Sequence, residues 1–133
     1  MCYIFAMSLL FQPKTGSVIY CNYTGFIAPE MIKKRPVIVI SKHRDNPKLL
    51  TVVPISTTKP EPILNYHVEM DEQFSLINLS GKKSWVKCDM INVVCLDRLN
   101  LIRDKNSGLR YSPNVGDVFL SKIKDSVRKV HNL

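Results

Sequence analysis

Short runs of β-branched and apolar residues recur along the chain, and they restrict its fold more than any other feature. The two most pronounced are Ser17–Tyr23 (SVIYCNY) and Pro36–Ser41 (PVIVIS). The second run is short and continuously apolar, which predicts a strand buried on both faces. The next run, Leu49–Ile55, contains Pro54, which has no N–H to donate to a β-ladder. We therefore expect a strand end, a bulge or a sheet edge at Pro54.

The second half of the chain predicts four more short strands after a loop. The loop, Thr57–Asn65, is marked by prolines, and another polar segment, Thr24–Arg35, separates the first two strands. The further strands are predicted at Tyr66–Met70, Ser84–Asp89, Ile91–Cys95 and Asp97–Leu101. Strands this short and frequent, without long helical periods between them, indicate a mainly β (α+β) fold. We expect a small barrel or curled sheet of antiparallel strands rather than βαβ units.

Helical periodicity is confined to the C-terminal segment. Asn114 is expected to cap a helix, whose apolar stripe would consist of Val115, Phe119, Ile123, Val127 and Val130. The opposite face carries Lys122, Lys124, Arg128 and Lys129. We therefore predict a single domain over residues 1–133, with a C-terminal helix over 114–131. Residues 1–10 are a possible N-terminal extension, since Met7 is an alternative start.

The chain of 133 residues carries a formal net charge of +8, and this charge is unevenly distributed. Residues 31–59 hold seven Lys or Arg and one acid, whereas residues 60–80 hold four acids and no Lys or Arg. An excess of positive charge attracts polyanions, and nucleic acid is the first candidate. A solvated surface without any ligand explains the same excess, so charge alone leaves both interpretations open.

Cysteine spacing and missing motifs narrow the classes of function. The paired short spacing of a zinc site does not occur among the four cysteines, Cys2, Cys21, Cys88 and Cys95. They lie in apolar or strand-like runs, so we expect reduced, structural thiols and neither metal nor cofactor. The sequence contains no GxGxxG, P-loop, HExxH or GxSxG motif. A cytoplasmic protein is expected, because no apolar run approaches the roughly 20 residues that span a membrane and no secretory signal is evident.

Polar residues at the ends of predicted strands form the candidate site. Arg35 directly precedes a buried strand and is expected at its mouth, where a guanidinium can grip a phosphate. Ser56–Thr58 ends the next strand and places several hydroxyls at one point. Lys87 and Asp89 are two residues apart in a predicted strand, so we expect their side chains on one face, together with Trp85. There the carboxylate can accept a proton and the ammonium can donate one.

Each of these residues also has a purely structural interpretation. Lys33–Arg35 is then a solvated basic run, and Ser56–Thr58 caps a strand end. Lys87 and Asp89 would form a surface ion pair of little energetic value. His67 is expected to be a half-buried strand residue rather than a base or a metal ligand.

Several segments of the chain occur together in one known family. In chain order they are Glu30, RPVIVIS (Arg35–Ser41), VVPIST (Val52–Thr57), HVEM (His67–Met70), VKCDMINVV (Val86–Val94) and DRL (Asp97–Leu99). Over roughly Gly16–Leu101 the chain resembles the PemK/MazF toxins of type II toxin–antitoxin systems. The resemblance implies an SH3-like or CcdB-like barrel with a C-terminal helix.

The resemblance also implies an activity and the residues that carry it. It implies a sequence-selective, metal-independent endoribonuclease, in which a 2′-hydroxyl attacks the adjacent phosphate and a 2′,3′-cyclic phosphate is left. Arg35 matches the family's phosphate-contacting Arg, and Ser56 and Thr57 match its hydroxyl pair. Asp89 matches the acid proposed as the base in the PemK branch, and Lys87 stands where that branch has an Arg. A desolvated Lys can release a proton whereas an Arg stays charged, so Lys87 can serve as the acid.

Partners follow from the same resemblance. They are single-stranded RNA, a cognate acidic antitoxin and a second copy of the chain in a homodimer. The RNA contacts are expected at Glu30, Lys33, Lys34, Thr58 and Trp85. Tyr23 or Phe26 would offer further surfaces on which unpaired bases can stack.

Two other functions stay open from the sequence. CcdB-type toxins share the barrel but poison DNA gyrase by protein contact, and a degenerate homologue would bind an antitoxin without cutting RNA. Pro29 stands where some PemK-like toxins have a His, which bears on the level of activity. A gyrase poison has no use for Arg35, the hydroxyls of Ser56 and Thr57 and the carboxylate of Asp89 together, so these residues discriminate between the functions.

Overall fold

The computed structural model describes Leu9 and residues 12–70, 83–103 and 107–133. Seven antiparallel strands form one sheet: β1 Val18–Cys21, β2 Arg35–Lys42, β3 Leu49–Ser56, β4 Val68–Glu69, β5 Trp85–Val86, β6 Asn92–Cys95 and β7 Leu99–Asn100. Their order is β4-β5-β3-β2-β1-β7, and β6 also pairs with β3. A hairpin of β8 Ile102–Arg103 and β9 Arg110–Tyr111 follows, and the chain ends in the helix α1, Asp117–His131. The predicted mainly β fold with a C-terminal helix is confirmed.

Strand β2 lies between β1 and β3, and it is buried on both faces as predicted. Ile38 and Ile40 belong to a core that includes residues of α1, whereas Val37 and Val39 belong to a second core on the other face. This division follows from the two-residue period of a strand. An apolar run without alternation, such as PVIVIS, therefore marks the centre of this sheet.

The C-terminal helix begins at Asp117, three residues after the predicted cap. Asn114 does not cap it. Its Oδ1 accepts a hydrogen bond from the N–H of Gly116 (2.8 Å) and its Nδ2 donates to the carbonyl of Thr15 (3.0 Å), so it fixes the turn before the helix. Gly116 occupies the N-cap position with a φ of 86°, a conformation that favours glycine. The apolar stripe of the helix faces the sheet, where Leu120, Ile123 and Val127 are buried.

The predicted strand Ser84–Asp89 is wrong in its second half. Only Trp85–Val86 is extended, and Cys88–Met90 forms a 3₁₀ turn. Lys87 and Asp89 therefore do not project from one face of a strand. Cys88 is fully buried, and its carbonyl lies 3.1 Å from Nε2 of His131 in α1. This contact with the helix holds the turn in place.

Four other predicted strands are shorter than the sequence pattern suggested, and the first of them, Ser17–Tyr23, is extended only at Val18–Cys21. The segment Tyr66–Met70 is a strand only at Val68–Glu69, and the segment Asp97–Leu101 is replaced by a 3₁₀ turn at Leu96–Arg98 followed by β7. Ile91–Cys95 becomes β6, which starts one residue later.

Pro54 lies inside β3 rather than at an end, a bulge or a sheet edge. The strand pairs with β6 over Leu49–Val52 and with β5 over Ile55–Ser56, and Pro54 falls between these two ladders. Pro54, which has no N–H, therefore lies where the strand paired with β3 changes from β6 to β5. The bulge of this hairpin lies in β2, between Val39 and Ser41.

The cysteines of the described chain are free thiols, as expected. Cys21 and Cys88 are fully buried, and Cys95 is half-buried. Burial raises the pKa of Cys21 to about 11 and that of Cys88 to about 12, the latter with a smaller contribution from the nearby carboxylate of Asp89. Both thiols are neutral at physiological pH and act as small apolar side chains. Cys2 lies outside the described residues.

Candidate functional site

One end of the sheet carries a row of three site residues on neighbouring strands. Arg35 opens β2, Ser56 closes β3 and Trp85 opens β5. Ser56 is directly opposite Trp85, and the β2–β3 register (Val37 opposite Pro54), continued by two residues, places Arg35 opposite Ser56. Side chains at directly opposite positions lie on the same face of an antiparallel sheet. Arg35 and Ser56 therefore lie on neighbouring strands at the same end of the sheet.

The Arg35 side chain is half-buried, and its Nε is a buried donor for which the described residues provide no hydrogen-bond partner. Leaving such a donor unsatisfied costs about 1–3 kcal/mol, and more for a charged group. A guanidinium donates most strongly to the paired oxygens of a phosphate or carboxylate. The arrangement therefore fits a ligand with anionic oxygens at this end of β2.

In the hydroxyl segment Ser56–Thr58, the Ser56 hydroxyl accepts one structural hydrogen bond and has a proton that it can donate. Ser56 is 3% exposed, and its Oγ accepts a hydrogen bond from the N–H of Thr58 (3.1 Å), which is the capping role considered above. Accepting this bond leaves the hydroxyl proton of Ser56 to be donated. Thr57 is half-buried and Thr58 is exposed.

The turn that carries Lys87 and Asp89 is attached to β3 beside this row. The N–H of Lys87 donates to the carbonyl of Pro54 (2.9 Å), two residues before Ser56, and the carbonyl of Lys87 accepts from the N–H of Met90 (2.9 Å). Asp89 is exposed within the turn. Lys87 and Asp89 form no ion pair with each other in the described part of the chain. The backbone bond to Pro54 thus places this turn beside the end of β3.

Arg98 holds segment 22–34 in place through hydrogen bonds and a cation–π contact, a role that the sequence did not predict. Nη1 of Arg98 donates to the carbonyls of Asn22 (3.0 Å) and Thr24 (2.7 Å). Its guanidinium carbon lies 4.9 Å from the centre of the Phe26 ring, within cation–π range. The DRL motif contains Arg98, and this was the only signal in the sequence that pointed to it.

The aromatic residues of this segment do not offer the open stacking surfaces that the sequence suggested. Tyr23 is fully buried in the second core and contacts the edge of the Phe26 ring, with 5.3 Å between ring centres. The expected stacking of a base on Tyr23 is therefore wrong. Glu30 is exposed, but its Oε1 accepts a hydrogen bond from the N–H of Ile27 (2.7 Å), so it braces the segment.

A cavity of about 460 Å³ adjoins the row on the β4–β5 side. It is lined by Thr57, Lys59, Ile63, Glu69, Lys83 and Trp85. Glu69 is directly opposite Trp85, and Nζ of Lys83 lies 3.6 Å from its Oε1. Trp85 is only 7% exposed, so it forms a wall of the cavity. No sequence signal linked Glu69 to Lys83 or Ile63.

His67 has the structural role that was expected of it, although it lies just before β4. Its Nδ1 accepts a hydrogen bond from the N–H of Leu64 (2.9 Å), and its ring lies 4.5 Å from that of Tyr66. It is half-buried.

The basic run 31–59 is divided between the two ends of the β2–β3 hairpin. Lys33, Lys34 and Lys59 accompany Arg35 and Ser56 at the site end, whereas Lys42, Arg44 and Lys48 lie around the hairpin loop. The seven steps along β2 separate the two groups by about 23 Å. Only part of this charge is therefore near the site.

The described part of the chain contains neither a metal-binding cluster nor a membrane-spanning helix. No cluster of three or more His, Cys, Asp or Glu side chains is placed to hold a metal ion. Among the described residues, no helix is both long and apolar enough to cross a membrane.

Comparison with solved structures places this sheet and helix in a known fold. An endoribonuclease in complex with its cognate antitoxin from a mycobacterial species matches with a TM-score of 0.62 and 18% identity, covering 92% of this chain and 97% of that one. MazF from Deinococcus radiodurans matches with a TM-score of 0.60 and 16% identity, covering 91% and 97%. The Mycobacterium tuberculosis toxin MazF-mt6 matches with a TM-score of 0.57 and 18% identity, covering 87% and 97%. The fold is that of the MazF toxins.

The sequence comparison identifies the family. The profile described as "PemK-like, MazF-like toxin of type II toxin-antitoxin system" matches residues 14–111. The chain therefore belongs to the PemK/MazF family of toxins. An uncharacterized protein of Haemophilus influenzae is 33% identical over 137 residues, covering 91% of each chain. The putative uncharacterized protein YifN of Escherichia coli is 31% identical over 117 residues, covering 73% of this chain and 78% of its own.

Proposed function

We propose that this chain is an endoribonuclease toxin that cuts single-stranded RNA by attack of a 2′-hydroxyl on the adjacent phosphate. The observation that carries the proposal is the unsatisfied Nε of Arg35, at the position opposite Ser56. Membership of the PemK/MazF family and the fold shared with an endoribonuclease support it. The reaction forms the bond from O2′ to phosphorus and breaks the bond from phosphorus to O5′, giving a 2′,3′-cyclic phosphate and a 5′-hydroxyl.

Arg35 and Ser56 bind the scissile phosphate in this proposal. The guanidinium donates to non-bridging oxygens, and the hydroxyl proton of Ser56 donates to the same group, with Thr57 beside it. Charge gathers on these oxygens in the transition state, so donors fixed by two central strands lower the barrier without having to reorganise.

Asp89 and Lys87 move the protons. The exposed carboxylate of Asp89 takes the proton of the 2′-hydroxyl, and the ammonium of Lys87 gives a proton to the departing O5′. Lysine can perform this step because its ammonium releases a proton when desolvated, which a guanidinium does not. The step needs no metal ion.

The remaining predicted residues attract and orient the RNA. Lys33 and Lys34 are exposed beside Arg35, and they add positive charge that draws in the phosphate backbone. Thr58 is exposed at the end of β3, and Trp85 walls the cavity in which an unpaired base can lie. Glu30 acts indirectly in this proposal, because its carboxylate braces segment 22–34.

The proposal includes protein partners and a compartment. A cognate antitoxin would be acidic, and it would neutralise the toxin by covering the basic site end of the sheet. Two copies of the chain would form a homodimer and present a continuous RNA groove. The toxin would act in the cytoplasm, where its RNA substrate is translated.

Cleavage of a long RNA in the presence of EDTA tests the proposal. Purified protein is expected to produce discrete fragments with 2′,3′-cyclic phosphate ends, and Arg35→Ala and Asp89→Ala are expected to abolish them. Lys42→Ala, which removes an exposed charge at the far end of β2, is the matched control and should cleave normally. Intact RNA with the unaltered protein would refute the proposal, and stalled DNA gyrase complexes would then favour the CcdB-like function.

A further inference from the structure

A second cavity of about 400 Å³ lies at the β1–β7 edge of the sheet, away from the Trp85 cavity. It is lined by Tyr20, Lys34, Asn100, Leu101, Arg103 and Arg110. The described lining thus includes three basic side chains and no acid. Tyr20 and Asn100 are directly opposite each other on β1 and β7, and they form the part of the wall that belongs to the sheet.

The hairpin β8–β9 places two of these cations side by side. Arg103 and Arg110 are directly opposite each other in the antiparallel register, so their β-carbons are about 5 Å apart. Lys34 adds a third charge, with its Nζ 6.0 Å from the centre of the Tyr20 ring. Guanidinium groups at this spacing can hold an anion with several oxygens between them.

The cavity adjoins the start of β2, where the candidate site lies. Lys34 directly precedes Arg35, and Tyr20 is directly opposite Pro36. Successive residues of an extended chain point to opposite sides, so the charges of Lys34 and Arg35 diverge around the end of one strand. A polyanion bound at Arg35 could therefore continue over this end and reach the second cavity.

We propose that the cavity of Lys34, Arg103 and Arg110 binds a backbone phosphate of the RNA that flanks the scissile phosphate. The identity of the ligand as RNA rests on the proposed function, whereas the phosphate chemistry rests on the cavity alone. Contacts of this kind add affinity without reading the sequence. They bind substrate and transition state equally, so they lower KM and leave kcat unchanged.

The salt dependence of binding tests the cavity without requiring cleavage. The ligand is a fluorescent single-stranded oligonucleotide with 2′-O-methyl groups throughout, which cannot undergo the 2′-hydroxyl attack. In the double variant Arg103→Gln/Arg110→Gln, loss of one phosphate contact should reduce the slope of log K against log[salt] by about 0.7. With 1 M salt as the reference, this change in slope means that the double variant binds about fivefold more weakly than the unaltered protein at 0.1 M salt.

The control is Lys42→Gln/Lys48→Gln, which removes the same number of charges from the far end of the β2–β3 hairpin. It should leave the slope within error of the unaltered protein, and thermal unfolding should verify that both double variants are folded. Equal loss in the two double variants would show a general effect of net charge and would overturn the proposal. With a cleavable RNA, only the Arg103/Arg110 variant should raise KM, about fivefold, at constant kcat.

Two competitors distinguish RNA from other anionic ligands. Sodium pyrophosphate at constant ionic strength represents a free phosphate compound, and an alternating Asp-Glu dodecapeptide represents an acidic protein segment. Either competitor could bind the Arg103/Arg110 variant more weakly while the salt dependence of oligonucleotide binding stays unchanged. The cavity would then bind that competitor's class of ligand, and the proposal would be wrong. If the slope falls but no RNA is ever cleaved, the phosphate site stands and the nuclease function fails.

Discussion

Replacing Arg35 by Met should make the free protein more stable and greatly reduce its activity. Methionine retains most of the apolar length of the side chain but removes a charged group whose buried Nε has no hydrogen-bond partner in the described part of the chain. An unsatisfied buried donor costs about 1–3 kcal/mol, and the half-buried position of Arg35 argues for the lower end of this range. A gain of about 1 kcal/mol in the free energy of unfolding corresponds to a rise in Tm of about 3–5 °C for a chain of this size.

The same substitution should reduce kcat/KM for RNA cleavage by about 10²–10⁴-fold. This range is the effect of losing two charge-assisted hydrogen bonds to the phosphate, at about 1.5–3 kcal/mol each. Tm and urea unfolding of the free protein give the first quantity, and initial rates on a short RNA give the second. Opposite signs for stability and activity are the signature of a residue kept for its ligand.

Lys42→Met is the matched control, because it removes one exposed charge from the other end of the same strand. It should change Tm by less than the Arg35 variant does and should leave cleavage intact. If Arg35→Met instead lowered Tm by several degrees, the guanidinium would be a structural partner in the free protein. If Arg35→Met cleaved RNA at the normal rate, the phosphate-binding role of Arg35 would be refuted.

Three further substitutions test the support of the site. Burial raises the pKa of Cys88 from 9.0 to about 12. The protonated thiol therefore stabilises the fold fully below pH 9. This contribution is lost as the pH rises towards 12, by up to about 1.4 kcal/mol per pH unit. The free energy of unfolding of Cys88→Ala, measured in urea, should therefore decline less steeply between pH 8.5 and 11 than that of the unaltered protein. Equal slopes would contradict the raised pKa of Cys88. His131→Phe removes the hydrogen bond to the Cys88 carbonyl, which should loosen the Asp89 turn and lower kcat about tenfold at constant KM; an unchanged kcat would show that the turn is held by other contacts. Arg98→Gln removes the two hydrogen bonds to segment 22–34, so amide hydrogen exchange in that segment should accelerate while β2 stays protected, and an unchanged exchange rate would rule out the fastening role.

The parts of the fold that could be predicted are those fixed by local pattern. The apolar runs predicted β1, β2 and β3, and the prolines and hydroxyls after β3 predicted its end. Arg35 and Ser56 were predicted at neighbouring strand ends because each directly adjoins such a run. Hairpin pairing then brings them together, which needs no information from distant segments.

The parts that could not be predicted depend on contacts between distant residues. The sequence around Lys87 alternates like a strand, but the burial of Cys88 and its contact with His131, 43 positions later, hold a 3₁₀ turn there. Tyr23 also resembles an outward aromatic, yet the second core encloses it.

Distance along the chain was also a poor guide to the location of charge. The basic run 31–59 is continuous in sequence, whereas the β2–β3 hairpin carries its middle part to the opposite end of the sheet. Arg103 and Arg110 show the reverse, because they are seven positions apart and become direct neighbours across β8 and β9. Neither arrangement is visible without the strand register.

The placement of Arg35 and Ser56 on the two central strands limits how this toxin can be switched off. These strands bury both cores, so opening the hairpin that joins them would dismantle the whole protein. A partner therefore cannot displace Arg35 and Ser56 by local loosening, as it could if the same residues stood on a flexible loop. In the proposed function, an inhibitor acting on these two residues must occupy the site or repel its substrate, and its effect is reversed as soon as it leaves, because Arg35 and Ser56 are already in position.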